Sequence, residues 1–365
     1  MDGRDAPMKH FAATFTAIAW LLAAVSSAAA CSSFCLIREG RPYCGQNYDW
    51  HLDDGLVLVN KRGLRKRGLV DDPRPAAWTS RYGSVTFNQY GREFPCSGMN
   101  EVGLVVIISL LSETRYPEVD ERAAVNAPQW IQYQLDTARS VAEVLASDEE
   151  IRIRPASNAR VHFFVSDRSG QCASIEFLDG EMVAHRGEDL PVRVLTNTAY
   201  ERSLKWIENY RGFGGDRPLD GRFRGSRFCR TAEHLRQDDG EQDPLAFAFA
   251  TLDTAAQGSY TKWSVVYDAD AAKIHFRTRR ADATRVIDLA ECDFNIESPV
   301  KMLDINADRR GDVTAQLVDY SSQSNRRVVQ RALRRGGIRS RLRGSALERV
   351  CRYPESCRPA AASDD

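Results

Sequence analysis

The chain has 365 residues, with 50 Lys and Arg balancing 50 Asp and Glu, and an apolar share of 43%. Zero formal net charge argues against nucleic acid or a broad anionic surface as the main partner, and this length and composition suit one sizeable domain with a real core. Past residue 30 no apolar run is long enough to span a membrane, so no span is expected in the mature form.

In chain order, residues 1–30 read as a secretory signal peptide. Arg4, Lys9 and His10 give a basic start, Phe11 to Val25 an apolar stretch, and Ala28-x-Ala30 a cleavage pattern. The expected location is therefore secreted or periplasmic. Cys31 to Arg38 reads as a strand, Glu39-Gly40 as a turn and Arg41 to Trp50 as the returning strand. A two-residue turn pairs Cys35 with Cys44 and sets Cys31 opposite Tyr48. A three-residue turn with a Gly bulge sets Cys31 opposite Asp49. Val102 to Leu111 is a buried-type strand, Asn126 to Ala146 has helical spacing, and Val161 to Val165, Cys172 to Phe177 and Met182 to Ala184 form a meander. Glu201 to Tyr210 and Phe228 to Leu235 read as helices, and Tyr260 to Tyr267 with Lys273 to Arg277 as a hairpin. By pattern alone the fold is mixed α and β.

Cleavage after Ala30 leaves Cys31 first in the mature chain, with a thiol and a free α-amine on one residue. That is the arrangement of an N-terminal nucleophile hydrolase, in which the α-amine is the base. Asp49, within about one residue of the new N-terminus in either register, is placed to hold the ammonium group. A Cys after a leader also suits lipidation, but the Leu usual three positions before it is Ala28 here.

Cys31 followed by Gly45-Gln46-Asn47-Tyr48-Asp49 resembles the opening of the choloylglycine hydrolase and penicillin V acylase family, whose usual form has Gly-Arg-Asn-x-Asp. Gln46 stands where many bile-salt hydrolases carry Arg, which weakens the case for bile salts. Further segments are similar to the family in the same order: Trp78 to Val85, Gly98-Met99-Asn100-Glu101-Val102-Gly103-Leu104, Val194-Leu195-Thr196-Asn197, Ser226-Arg227-Phe228-x-Arg230 and Thr261 to Asp268. The resemblance runs from residue 31 to about 280. It implies an α+β fold, a four-layer αββα sandwich of two antiparallel sheets between helical layers, and hydrolysis of a linear amide. It also implies that Asn197 supplies an oxyanion donor together with a backbone N–H near Leu110, and that Arg227 lies beside Cys31, where its charge is expected to lower the thiol pKa. No cofactor or metal is implied. An apolar Leu110 suits an apolar acyl pocket, with Trp50, Trp78, Trp206 and Trp263 as candidate lining.

The small-molecule substrate expected is an acyl amide: an N-acyl homoserine lactone, a fatty or aryl amide, penicillin V or a conjugated bile salt. The rivals are an acyltransferase of the same architecture, a lipid-anchored binding protein, and a Cys-His hydrolase using His51. Apart from Cys31, eight cysteines remain; Cys35 with Cys44, and Cys351 with Cys357, are candidate disulfides in an exported protein. The organisation expected is a leader over 1–30, a hydrolase domain over 31–305 and an Arg-rich extension over 306–365. In the extension, Val328 to Leu333 reads as a short helix. It is read as a solvated tail in preference to a basic arm or a homo-oligomer contact.

Overall fold

The computed structural model describes residues 31–155, 159–218, 226–335 and 345–360. The leader expected over 1–30 lies outside them, as do 336–344 and 361–365 of the C-terminal segment.

The first hairpin shows how local chemistry sets the frame. Glu39 and Gly40 both have positive φ, 52° and 77°, which makes a tight two-residue turn whose twist matches the flanking strands. Strands β1 (Ser32–Arg38) and β2 (Arg41–Asp49) therefore pair without a bulge, Ser32 to Asn47 and Cys35 to Cys44. This selects the two-residue register, and continuing it sets Cys31 opposite Tyr48. Cys35 and Cys44 face each other with their sulfurs 2.9 Å apart. All nine cysteines are free thiols, so neither suggested pair is bridged.

Fourteen further strands complete two large sheets. They are β3 (Leu56–Asn60), β4 (Ser84–Asn88), β5 (Ser97–Asn100), β6 (Val105–Leu110), β7 (Val161–Ser166), β8 (Cys172–Leu178) and β9 (Glu181–Arg186), followed by β10 (Val194–Leu195), β11 (Thr261–Asp268), β12 (Lys273–Thr278), β13 (Arg285–Asp288), β14 (Lys301–Asp304), β15 (Gly311–Asp312) and β16 (Val318–Asp319). One sheet has the order β10-β1-β2-β11-β12-β13-β15 and is antiparallel except for its last pair. The other runs β9-β8-β7-β6-β5-β4-β3-β14-β16, antiparallel throughout. Their inner faces meet through Phe87 against Tyr267 and Phe276, and through the Tyr267 hydroxyl donating to Ser97 at 2.7 Å.

Helices cover the outer faces. The sequence suggests one helix over 126–146, but the structure has two. Asn126 caps α1 (Ala127–Thr137), the chain turns extended at Ala138, and Ser140 caps α2 (Val141–Ala146). Trp130, Ile131 and Leu135 of α1 pack with Val106, Phe163 and Ile175 of the nine-stranded sheet. After α3 (Tyr200–Ile207), α4 (Arg227–Arg236) and α5 (Pro244–Ala255) lie on the seven-stranded sheet, against β1 and β2. Helix α5, capped by Asp243, is absent from the sequence reading. Its run PLAFAFATL is apolar on too many sides to show a helical stripe. The layer order is thus αββα.

The C-terminal segment departs from the solvated-tail expectation. It forms α6 (Ser322–Arg335), longer than the expected Val328 to Leu333, and α7 (Ser345–Arg352). Val329, Ala332, Cys351 and Tyr353 are buried. The Asn325 side-chain oxygen accepts from the Arg92 N–H at 2.8 Å, and the Tyr353 hydroxyl donates to the Arg67 carbonyl at 2.7 Å.

Gly45, directly opposite Phe34, has no room for a side chain: a Cβ there would lie 2.3 Å from the Phe34 ring. Gly45→Ala is expected to destabilise the fold by about 1–3 kcal/mol through overpacking. Urea unfolding of the variant beside the parent checks this.

Candidate active site

Cys31 precedes β1 and is buried. Arg227, the first residue of α4, reaches it from the outer layer. One guanidinium nitrogen donates to the Cys31 carbonyl at 2.8 Å and to the Ser32 hydroxyl at 2.7 Å, and lies 3.6 Å from the Asp49 carboxylate. The other donates to the Asn197 side-chain oxygen at 2.9 Å. The Asn197 amide in turn donates to the Leu110 carbonyl at 2.7 Å. All five residues singled out in the sequence, Cys31, Asp49, Leu110, Asn197 and Arg227, are therefore brought together.

Asp49 ends β2, opposite Thr261. Its buried carboxylate accepts from the Gln257 amide at 2.7 Å and the Thr261 hydroxyl at 2.5 Å. Burial raises its pKa, although those two donors and Arg227 pull it down. For Cys31, burial first and the Asp49 carboxylate second push the thiol up to about 12. The Asp49 backbone N–H and the Arg227 charge pull it down without prevailing. The sequence reading expected the Arg227 charge to lower the thiol pKa. Its sign is right, but desolvation wins because the sulfur sits between two sheets.

Asn197 is held from behind. His162, fully buried on β7, places Nε2 2.6 Å from the Thr196 carbonyl and Nδ1 2.9 Å from Glu176. The same Glu176 carboxylate accepts from the Tyr200 N–H that opens α3. Asn47 is structural: its amide donates to the Leu252 carbonyl of α5 and accepts from Ser264. Gln46 is buried within the sheet interior, opposite Ser33. The exposed His51 ring packs on Trp50 and Tyr260.

A cavity of about 590 Å³ opens onto Cys31. Tyr48, Trp50, Phe94, Cys96, Ile108 and Leu110 border it. Trp50 is the one tryptophan of the four suggested that lines it. Trp78 donates to Asp136 in the other core, Trp263 stacks on Tyr48 with ring centres 4.0 Å apart, and Trp206 is exposed. The Trp50 indole N–H and the Ser109 hydroxyl border the cavity buried and without a partner among the described residues, so both are open to polar atoms of a ligand. Among the described residues no cluster of His, Cys, Asp and Glu is arranged to hold a metal ion, and no helix is long and apolar enough to cross a membrane.

Sequence reasoning missed Gln257 and the His162–Glu176 pair. Each acts through tertiary contact from a distant stretch, and no local spacing marks either.

Residues 31–302 match the family described as linear amide C–N hydrolases, choloylglycine hydrolase family, and the chain belongs to it. It is accordingly a hydrolase acting on carbon–nitrogen bonds other than peptide bonds in linear amides, with the α+β fold of N-terminal nucleophile hydrolases. It is 24% identical to a penicillin V acylase of Pectobacterium atrosepticum over 335 residues, 78% of this chain and 88% of the relative. A penicillin V acylase structure from Agrobacterium tumefaciens superposes with a TM-score of 0.70 at 27% identity, over 80% of this chain and 98% of the other. A variant of the conjugated bile acid hydrolase from Clostridium perfringens shares the fold, with a TM-score of 0.60 at 16% identity over 75% and 96%.

Because the Asp49 charge raises the Cys31 pKa, Asp49→Asn should lower it. In the chain retaining residues 1–30, alkylation of Cys31 by iodoacetamide at pH 8 is expected to be slow and to speed up several-fold in Asp49→Asn. Peptide mapping by mass spectrometry reads the rate; slower labelling in the variant would refute the electrostatic assignment.

Proposed function

We propose that this protein is exported, that removal of residues 1–30 frees the α-amine of Cys31, and that Cys31 then hydrolyses an acyl amide with an apolar acyl group. The observation that carries the reading is the convergence of Cys31, Asp49, Arg227 and Asn197 beside a largely apolar cavity. A thiol pushed up to about 12 is a poor nucleophile at neutral pH. A free ammonium at the same residue, held by Asp49, opposes the carboxylate's effect on the sulfur. Its neutral form accepts the thiol proton, directly or through water.

In this reading the thiolate attacks the amide carbonyl carbon. One Asn197 N–H is engaged by Leu110; a carboxamide nitrogen carries two hydrogens, and the second, with a backbone N–H near Leu110, holds the oxyanion. The tetrahedral intermediate collapses as the amine leaves with the proton from the α-ammonium, and water hydrolyses the thioester. Arg227 fixes Cys31, Ser32 and Asn197 and balances Asp49.

The apolar lining favours aryloxyacetyl or fatty acyl groups, as in penicillin V or N-acyl homoserine lactones, over conjugated bile salts. The penicillin V acylases among the relatives fit an aryl acyl group.

Intact-mass and N-terminal analysis of the exported protein is expected to show a chain beginning with a free Cys31 that reacts fastest with a thiol label. A chain starting elsewhere, or a blocked Cys31, would sink the mechanism. Asn197→Ala is expected to lower kcat on penicillin V or an N-acyl homoserine lactone by roughly 10²–10³-fold, the cost of losing one oxyanion donor. Product analysis with an added acceptor amine separates hydrolysis from acyl transfer.

A further inference from the structure

The family match ends at residue 302, yet the chain beyond it borders the cavity that holds Cys31: Leu333 of α6 and Arg349 and Val350 of α7 line the same space. The exposure of the lining gives the cavity a direction. Cys31, Phe94 and Cys96 are buried at its floor, whereas Asp71, Arg154 and Arg349 are exposed at its mouth, and Leu333 and Val350 are half-buried between them. Leu69 and Val70 border this outer half too.

The segment is fastened rather than draped. Gly91 is in contact with α6 so closely that a Cβ there would lie 2.5 Å from Val329. Arg326 forks onto Glu348 with two bonds of 2.6 Å, tying α6 to α7. Arg358 pairs in a short ribbon with Arg65, and the Ala360 N–H donates to the Gly63 carbonyl at 2.8 Å.

We propose that α6 and α7 form a specificity wall for the substrate's acyl tail, with Leu333 and Val350 as the determining side chains, so that long unbranched acyl groups are preferred to short ones. This rests on the function proposed above. A carbonyl at buried Cys31 directs the acyl group into a cavity within the size range of pockets that enclose whole small ligands. A short acyl group fills only the floor. A long one reaches the outer half, where Leu69, Val70, Leu333 and Val350 offer hydrocarbon between the buried floor and the charged rim of Asp71, Arg154 and Arg349. That apolar band suits an alkyl tail.

The test separates binding from turnover. Calorimetry on the exported protein carrying Cys31→Ala measures affinity along a ladder from N-butanoyl to N-dodecanoyl homoserine lactone. Affinity is expected to rise with chain length. Adding Leu333→Ala and Val350→Ala is expected to weaken dodecanoyl binding about tenfold more than butanoyl binding, as lost apolar burial requires. Equal losses along the ladder, or none, overturn the wall. If the double variant fails a thermal unfolding check, Val350→Trp, which fills the cavity instead of emptying it, must still weaken dodecanoyl binding selectively or the proposal falls. Turnover of the same ladder by the Cys31 protein is scored separately. A chain-length slope in binding without turnover refutes the proposal that Cys31 hydrolyses these acyl amides and leaves the wall standing.

Discussion

The site depends on a buried guanidinium. Arg227 sits at the start of α4, in an outer layer, and sends its side chain to the beginning of β1. There it joins the Cys31 carbonyl, the Ser32 hydroxyl, the Asn197 side chain and, at 3.6 Å, Asp49. Through Asn197 the contact extends to Leu110 on the other sheet. A planar group with five donors can fix three acceptors at once; an ammonium on a flexible stem cannot hold them in one plane. Burial lowers the guanidinium pKa, opposed by Asp49 and Cys31, so Asp49 is the counter-charge that makes the arrangement tolerable.

The same burial sets the problem that the chemistry must solve. Two sheets packed around Cys31 bury its sulfur, and a thiolate there is costly. Asp49, needed beside Arg227, raises that cost further. A fixed positive charge at Arg227's distance does not reverse the balance. In the proposed mechanism a second cation, on the nucleophile's own residue, opposes that cost from within one residue of the sulfur and brings a base of suitable strength.

Much of this was legible because it is local. Glu39-Gly40 marks the turn, and the turn fixes the register that sets Cys31 beside the end of β2. The order of the Asn197 and Arg227 segments carried the rest of the site through resemblance. What was not legible is tertiary. Gln257 reaches Asp49 from a loop, and His162 supports Thr196 across a strand boundary. Trp263 and Trp78 looked like pocket lining because an indole in a sequence does not reveal which face of its sheet it takes. The C-terminal segment was misjudged because its Arg content hid a stripe that packs on the core. Asn325, Val329, Ala332 and Leu333 recur at helical spacing, and its charges are partly paired, Arg326 with Glu348 and Arg331 with Asp54.

That stripe connects the C-terminal helices to the cavity floor through one loop. Glu93 takes φ 74°, a conformation that a side chain rarely adopts without support. The support is a buried cluster. The Lys66 ammonium lies 2.5 Å from Glu93 and 2.9 Å from Asp136, and although burial opposes it, Asp136 and Glu93 hold its pKa above the ordinary value. On the loop's other side, Gly91 and Arg92 meet Val329 and Asn325 of α6, and Phe94 packs on Tyr353 with ring centres 5.2 Å apart. Phe94, Pro95 and Cys96, which follow at once, border the cavity. The loop is therefore clamped between an ion cluster of the family-matched core and helices beyond it. A change in how α6 seats would be felt at the floor beside Cys31 as well as at the wall, which ties the C-terminal segment to the shape of the whole pocket.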